Sequence, residues 1–386
     1  MRKFPLVGSA LATAVLGVAL AASAATGASA RTLKSAVGTA TSSVQVYTHN
    51  RFAKYVEENS DLKIKVFALS LLNLKETPPG IRDGITEMGF VLPPYFPAEY
   101  ANFNLGADTT MLVTSGEPLE SPGMAMAGAL MEYTFFNCPD CLTEFKQQGQ
   151  IYLGGGSTPD YVMLCTQPIR TLDDLKGKKF RSAANNFARW AEYFGGIAVS
   201  LPANDVYEAM GQGVVDCAMM SATELSNFSL FDVTKAVTTG IPGGVFAGVA
   251  TNNVNTEVWR SLTTEQRATM IKASAYAQAD FTWKFYADAK ANLEAAPSKG
   301  IEIIKASPEI VAASEEFVKQ DMKTTAEQYE RDYGVSDAAA KIEIMRKLIE
   351  KWKPLTEGMA DDTDRLAQLY WDEIYSKVDP ATYGMD

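Results

Sequence analysis

The 386-residue sequence contains a single histidine, His49, and only four cysteines. Without a second histidine, it offers no support for a histidine-based metal site or a Ser-His catalytic set. It also lacks three motifs in a strand-to-helix setting: the Gly-x-Ser-x-Gly elbow, a phosphate-binding glycine loop and Gly-x-Gly-x-x-Gly. These absences argue against an enzyme, and we expect no cofactor and no metal ion.

Basic residues are outnumbered by acidic ones. Lysine and arginine total 35 against 46 aspartates and glutamates, which gives a net charge of −11 at pH 7. A nucleic-acid-binding protein would be expected to carry a basic stripe, so we expect no nucleic-acid partner. Net charge governs solubility and steering, and it does not reveal the charge of a small ligand. The length suits one very large domain or two ordinary ones.

Long apolar runs are absent beyond the N-terminus. After Arg2 and Lys3, residues 6–22 form an Ala-rich apolar run, and small residues follow it up to Ala30. Two Ala-Ser-Ala triplets, at 22–24 and 28–30, fit a signal-peptidase site. The apolar part is shorter than the ~20 residues that a spanning helix needs. We therefore predict a cleaved signal peptide over residues 1–30 and a periplasmic mature protein, in preference to a retained anchor.

The cysteines favour a structural role over redox chemistry. Cys138 and Cys141 lie in the sequence Asn-Cys-Pro-Asp-Cys. A Cys-Pro-x-Cys pair at a helix start is also the arrangement of thiol oxidoreductases, in which the helix dipole lowers a thiol pKa. In an exported chain a closed structural disulfide is the better interpretation. Cys165 and Cys217 could pair or stay as free thiols, because connectivity cannot be read from sequence.

Strand-like and helix-like segments alternate along most of the chain, which indicates an α/β protein. The segment at 197–201 has the composition of a buried strand, and 243–252 is predicted to be a long strand that returns between two domains. Beyond Glu257 the chain is predicted to be helical nearly throughout, to about Tyr375. The other predicted strands are 32–37, 62–68, 89–93, 161–166, 178–182 and 218–222, and predicted helices include 43–58, 78–88 and 185–194.

The loop after the predicted strand at 89–93 is a candidate wall of a ligand site. In open α/β sheets, ligands bind beyond the carboxyl ends of the strands. This rule selects Tyr95 and Phe96 in the sequence Pro-Pro-Tyr-Phe-Pro-Ala. The alternative is that both rings simply pack beneath a Pro-rich turn.

The stretch from Thr171 to Asp216 carries an ordered set of motifs. It contains Asp-Leu-Lys-Gly, then Lys-x-Arg ending at Arg181, a helix closed by Gly-Gly, Leu-Pro, and a Val-Tyr helix that leads to Gly-Val-Val-Asp. In order and spacing this set resembles the solute-binding proteins of TRAP transporters, the tripartite ATP-independent periplasmic uptake systems, of the C4-dicarboxylate-binding type. The resemblance covers roughly Leu33 to Glu315.

The resemblance and the order of elements together predict two discontinuous α/β lobes joined by a hinge, similar to type II periplasmic binding proteins, with a helical C-terminal extension. Lobe I is expected at 31–160 plus about 246–285, and lobe II at 161–245 plus about 286–330. The extension, residues 331–386, is most simply a packed surface appendage; a dimer contact is the alternative.

In the family that the sequence resembles, the arginine of Lys-x-Arg binds the ligand carboxylate, so the resemblance implies that role for Arg181. A planar guanidinium fork suits a carboxylate because it donates two parallel hydrogen bonds. Many relatives add an asparagine at the position of Met220, and this chain therefore lacks that polar partner. Methionine there indicates a less polar pocket, suited to a monocarboxylate with an apolar or aromatic part. The further ligand-binding candidates are Met219, Ser182, Asn185 and Trp190.

The sequence therefore predicts a periplasmic receptor that captures a small organic acid between two lobes and delivers it to the membrane subunits of a TRAP transporter. The alternatives are an exported thiol–disulfide oxidoreductase that uses Cys138 and Cys141, and the binding protein of an ABC importer or a sensor.

Overall fold

A computed structural model describes residues 31–116 and 119–386 of the chain. The predicted signal peptide, residues 1–30, lies outside these ranges. Within them, no helix combines the length and the apolar character needed to cross a membrane.

The strands form two separate sheets. The first has the order β2-β1-β3-β10-β4 and the second the order β11-β9-β5-β8-β6-β7. Each sheet mixes parallel and antiparallel pairs. The strands are β1 (Thr32–Val37), β2 (Lys63–Ala68), β3 (Met88–Val91), β4 (Gln150–Ile151), β5 (Val162–Cys165), β6 (Lys179–Ser182), β7 (Ile197–Ser200), β8 (Cys217–Met220), β9 (Ala236–Thr239), β10 (Ala250–Asn255) and β11 (Glu302–Lys305).

Helices surround both sheets and connect them. A π-helical turn, Tyr133–Asn137, links α4 to α5, and the 32-residue α10 is the longest helix of the described chain. The helices are α1 (Val44–Asn59), α2 (Thr77–Arg82), α3 (Ala101–Ala107), α4 (Pro122–Glu132), α5 (Pro139–Gln147), α6 (Asn185–Tyr193), α7 (Val206–Gly211), α8 (Glu224–Asn227), α9 (Thr256–Ser261), α10 (Thr264–Ala295), α11 (Pro308–Tyr333), α12 (Ala338–Leu355) and α13 (Thr363–Glu373).

The protein therefore has the two-lobe, type II-like α/β fold that the sequence predicts. We call the five-stranded sheet with its helices the first lobe, and the six-stranded sheet with its helices the second lobe. The chain crosses between the sheets after β4, after β9 and along α10. The exact residue limits given above for the lobes and the extension stay a prediction.

The segment at 243–249 is not the strand that its composition suggests. Gly243 and Gly244 have positive φ values of 82° and 76°, which interrupt an extended strand at its start. The segment then runs beside the crossing between β4 and β5. There the backbone N–H of Thr158 donates to the carbonyl of Phe246, and the backbone N–H of Tyr161 donates to the carbonyl of Gly244. Only from Ala250 does the chain enter the first sheet. The prediction of a strand over 243–252 was therefore wrong for its first seven residues.

Two further differences concern the second sheet. β7 is an edge strand, and Ile197 is 52 % exposed, so its apolar sequence did not indicate a buried strand. β11 interrupts the region predicted to be helical and pairs with β9 in parallel. Its two adjacent isoleucines between charged ends, Glu302 and Lys305, are too short an apolar run to be recognised as a strand.

The C-terminal helices belong to the core of the first lobe rather than to a surface appendage. Trp352 on α12 is fully buried, and its Nε1–H donates to Glu132 Oε2 on α4 at 2.6 Å. Gly128 makes this packing possible, because a Cβ there would lie 2.2 Å from the indole. Tyr370 and Tyr375 are also buried, and both donate to carbonyls of the first lobe.

All four cysteines form disulfides. Cys138 is bonded to Cys141, and Cys165 to Cys217. The second pair, which the sequence left open, lies directly opposite across the antiparallel strands β5 and β8, with the Cα atoms 4.0 Å apart. Residues opposite each other in such a pair approach to about 4.5–5.5 Å, so strand pairing alone brings these two sulfurs together.

We expect the Cys165–Cys217 disulfide to contribute more to stability than the Cys138–Cys141 disulfide. The first spans 52 residues and the second only 3, and the entropy removed from the unfolded chain grows with loop length. The double variant C165A/C217A should therefore lose about 2.5 kcal/mol more of unfolding free energy than C138A/C141A. Denaturant titration of both variants measures this difference. Equal losses would contradict it.

Candidate functional site

A cavity lies between the two lobes, beyond the carboxyl ends of several strands. The space in it that a water-sized molecule can occupy is about 40 Å³. Much of its wall is apolar, from Phe90, Leu92, Phe228, Phe246 and Phe281. Its polar groups are Gln45, Tyr95, Tyr161, Arg181 and Glu224. An apolar cleft with a few convergent polar groups is the usual form of a small-molecule site.

Arg181 is the buried cation of this cavity. It lies on β6, between β7 and β8, and is only 1 % exposed. Its Nε donates to the carbonyl of Leu201 at 3.0 Å and its Nη2 donates to Tyr95 Oη at 3.1 Å. A guanidinium has five N–H donors, so three are left without a protein acceptor among the described residues.

No aspartate or glutamate in the described ranges forms an ion pair with Arg181. The nearly complete burial of an unpaired guanidinium is costly, since the charge has left water without an opposite charge to offset the loss. A negatively charged ligand that fits the cavity would supply that charge. The arrangement is therefore suited to binding a small anion through a two-pronged hydrogen bond.

Tyr95 connects the lobes beside Arg181. It lies in the turn after β3 of the first lobe, where the chain leaves the sheet. Its hydroxyl accepts hydrogen bonds from Arg181 Nη2 and from the backbone N–H of Ala203 at 2.9 Å, both in the second lobe. Asn204 adds a further link, since its Nδ2 donates to the carbonyl of Gly38 at 3.1 Å. These bonds cross the cleft and hold the lobes together.

Gln45 brings an unused polar atom to the cavity. Ser43 caps α1, with its Oγ accepting from the N–H of Val46, and so places Gln45 in the first turn, facing the second lobe. The side chain is 5 % exposed, and its Oε1 has no hydrogen-bond partner within residues 31–116 and 119–386. Buried acceptors are rarely left unpaired, so this amide is a candidate for hydrogen bonding to a ligand.

The sequence was compared with families of known proteins. The family model of bacterial extracellular solute-binding proteins, family 7, matches residues 35–329. The chain belongs to this family. A curated solute-binding protein from Albidiferax ferrireducens is 27 % identical over 175 residues, which is 44 % of this chain and 48 % of that protein. The match thus spans about half the length of the curated relative.

Solved structures of TRAP solute-binding proteins share the fold. One from Rhodoferax ferrireducens, in complex with copurified benzoate, has a TM-score of 0.71 at 18 % identity and covers 84 % of this chain and 99 % of its own. A marine metagenome protein specific for aromatic acid ligands gives 0.69 at 19 % identity, over 83 % and 99 %. The ectoine-binding protein of Halomonas elongata gives 0.70 at 17 % identity, over 83 % and 99 %.

Three of the residues selected from the sequence line the cavity of this family 7 protein: Arg181, Tyr95 and Met220. Met219 does not, because successive side chains of a strand point to opposite faces, and its side chain is in the core. Phe96, next to Tyr95, instead packs edge-on against the ring of Tyr100.

The other candidates near Arg181 do not line the cavity either. Ser182 Oγ donates to the carbonyl of Ala184 at 2.6 Å. Asn185 is the first residue of α6, which has no side-chain capping hydrogen bond at its start. Trp190 is a core residue of the second lobe, with its Nε1–H donating to Ser314 Oγ at 3.1 Å. The amphipathic spacing of α6 turns Trp190 toward the core and α11, away from the cleft.

Sequence reasoning missed Gln45, Glu224 and the three phenylalanines Phe228, Phe246 and Phe281. Glu224 could have been found by the rule that selected Tyr95, because it lies four residues past the end of β8. The phenylalanines carry no local motif. Phe281 reaches the cavity from α10, Phe228 from the segment after α8, and Phe246 from the crossing segment before β10.

A larger groove on the first lobe is a weaker candidate. Phe136, Lys146 and Arg260 line its cavity of about 510 Å³, together with the last residues of the chain. Its charged side chains are exposed or only half-buried, so water competes with any anion there. In the described part of the chain, no cluster of three or more His, Cys, Asp or Glu side chains could hold a metal ion.

Tyr95→Phe should weaken ligand binding by about tenfold. The change removes the acceptor shared by Arg181 and the N–H of Ala203, and a hydrogen bond involving a charged group contributes about 1.5–3 kcal/mol. The control is Tyr133→Phe, a second tyrosine of the first lobe: Tyr133 is fully buried, whereas Tyr95 is half-buried, and the Tyr133 hydroxyl has no hydrogen-bond partner among the described residues. Isothermal titration of both variants with the same ligand measures the effect, and equal affinities would contradict the role of Tyr95.

Proposed function

We propose that this protein is a periplasmic receptor that captures a small organic acid and delivers it to the membrane subunits of a TRAP transporter. One observation carries the proposal: Arg181 is a buried, unpaired guanidinium that lines an inter-lobe cavity. Membership of an extracellular solute-binding family supports it. The fold, shared with TRAP solute-binding proteins, supports the choice of transporter over an ABC importer or a sensor.

The walls of the cavity favour a monocarboxylate with an apolar or aromatic part. Nine apolar side chains and Met220 line it, and Arg181 is its one buried cation among the described residues. Relatives of the same fold were solved with metahydroxyphenylacetate, benzoate and mandelate. In this proposal the carboxylate of the ligand binds Arg181, and the ring of the ligand contacts the phenylalanines. Tyr95 and Met220 line the position that the ligand occupies.

Ligand binding would favour the closed form through its differential contacts. A bound anion offsets the cost of enclosing Arg181, so the closed state gains stability that the open state does not. The hydrogen bonds of Tyr95 and Asn204 across the cleft then add to the closure. The closed surface is what the membrane transporter would recognise.

A thiol–disulfide oxidoreductase is the less favoured function. Cys138 and Cys141 are joined, and both are fully buried. Thiol exchange requires an attacking thiolate to reach one sulfur, which burial opposes. The geometry therefore supports a structural disulfide.

Thermal-shift screening of the mature protein against carboxylates tests the proposal. Phenyl and branched-chain monocarboxylates should raise the melting temperature, since a ligand at 100 times its Kd stabilises the native state by about 2.7 kcal/mol. Succinate, malate and uncharged aromatic alcohols serve as comparison ligands. A response only to succinate or malate would refute the proposal that the ligand is a monocarboxylate. A response to no organic acid would refute the proposal that the protein is an organic-acid receptor.

A further inference from the structure

Glu224 is a buried carboxyl group in the wall of the same cavity. It begins α8 and is 7 % exposed. Its Oε2 accepts a hydrogen bond from Asn227 Nδ2 at 3.0 Å. No lysine or arginine of the described chain lies within ion-pair distance of it, so it shares the cavity with Arg181 without pairing with it.

Contacts from both lobes hold Glu224 in place. Asn227, which binds the carboxyl, accepts with its Oδ1 from the N–H of Val44 at the start of α1, at 3.3 Å. On the other side, Asn292 of α10 donates to the carbonyls of Ala222 and Thr223, at 3.0 and 3.1 Å. The carboxyl group therefore cannot simply turn out into solvent when the cleft closes.

No group that faces Glu224 forms an ion pair with it among the described residues. The charged and titratable groups are Arg181 of β6, Tyr95 of the first lobe and Tyr161 between the lobes; Gln45 of α1 and Asn227 of α8 are neutral amides. Burial raises the pKa of Glu224 to about 7, while Asn227 and Arg181 lower it. Burial also raises the pKa of both tyrosines, so they stay protonated and neutral.

We propose that Glu224 couples ligand binding to protonation: it takes up one proton from solvent when a carboxylate binds Arg181, and then donates a hydrogen bond inside the closed cavity. Two carboxylates that share a buried site with one cation cannot both stay ionised at low cost. Protonation of Glu224 removes one negative charge, which suffices for a monocarboxylate. A dicarboxylate brings a second charge that this single proton cannot offset, so it is disfavoured.

This inference rests on the proposed function, and calorimetry of the wild-type protein tests it. Phenylacetate, or the tightest-binding monocarboxylate of the screen, is titrated at pH 6, 7 and 8 in two buffers of different ionisation enthalpy. Below pH 7 most free Glu224 already carries its proton, and above pH 7 binding must draw one from solvent. We expect an uptake of about one proton per bound ligand at pH 8 and of a small fraction of a proton at pH 6. The affinity should fall about tenfold from pH 6 to pH 8.

Glu224→Gln supplies the matched variant, because an amide keeps the hydrogen bond to Asn227 and does not titrate. It should bind phenylacetate equally well at pH 6 and pH 8, without proton uptake at either pH. The control is Glu208→Gln, a change of an exposed carboxylate on α7, which should keep the wild-type pH dependence.

The possible failures are distinguishable. Arg181-dependent binding without proton uptake would overturn the inference alone, as would a tighter binding of zwitterionic amino acids that Glu224→Gln abolishes. The absence of binding by every organic acid of the screen would overturn the proposed function as well.

Discussion

Replacing Arg181 with methionine is expected to weaken monocarboxylate binding at least 100-fold, about 2.7 kcal/mol. The change keeps an unbranched apolar chain and removes the guanidinium, so the ligand carboxylate would be enclosed without its partner charge. Truncating one member of a buried, hydrogen-bonded charge pair typically costs about 2–5 kcal/mol. Isothermal titration of both proteins with the same monocarboxylate measures the loss.

The control for this variant is Arg170→Met, in the same lobe. Arg170 forms an exposed ion pair with Glu302, and its side chain is 51 % exposed, so its loss should leave affinity unchanged. Arg181→Lys adds a second comparison, since lysine keeps the charge and loses the planar fork; its affinity should lie between those of Arg181→Met and the wild type. Wild-type affinity in Arg181→Met would contradict the proposal that Arg181 binds the ligand carboxylate.

Replacing Arg189 with methionine should lower the free energy of unfolding by about 3–5 kcal/mol, the usual cost of breaking a buried ion pair by removing one partner. Arg189 lies on α6, and its Nε and Nη2 donate to both carboxylate oxygens of Asp321 on α11, at 2.6 and 2.9 Å. Its Nη1 lies 3.8 Å from Asp108 at the end of α3. The cluster thus joins α6 of the second lobe to α3 of the first.

The loss in Arg189→Met should be smaller at pH 5 than at pH 8. Burial raises the pKa of Asp108 to about 6, and the charge of Arg189 is the largest of the causes that lower it. Without Arg189 the pKa rises further, so Asp108 is protonated at pH 5 and pays little for burial, whereas at pH 8 it is ionised without its cation. Denaturant unfolding at both pH values measures the difference.

Arg331→Met, an exposed change on α11, is the control for Arg189→Met. The side chain of Arg331 is 68 % exposed, so this change should alter stability by no more than about 0.5 kcal/mol. Similar losses in the two variants would contradict the structural role of the buried cluster.

Local signals in the sequence located most elements. β1 was predicted residue for residue at 32–37, and α1 and α6 within a residue or two, because their ends carry recognisable caps or glycines. The edge strand β7 and the segment at 243–249 were misjudged for a common reason. Apolar composition records what could be buried, and only the tertiary arrangement decides which strand lies at an edge and which segment crosses between lobes.

The site was predictable where a motif or a topological rule applied. Arg181 was selected from the resemblance, and Tyr95 from the rule on the carboxyl ends of strands. Gln45, Phe246 and Phe281 come from three distant parts of the chain, and nothing in their local sequence marks them. They meet only in the tertiary structure, where the two lobes close on each other. No local pattern in a single sequence shows that arrangement.

A crystal structure of the protein with a bound monocarboxylate tests the central claim most directly. The account predicts carboxylate oxygens within about 2.7–2.9 Å of the two terminal nitrogens of Arg181, with the apolar part of the ligand against Phe90 and Phe246. A ligand held elsewhere, for example in the groove beside Phe136, with Arg181 touching no part of it, would contradict the account.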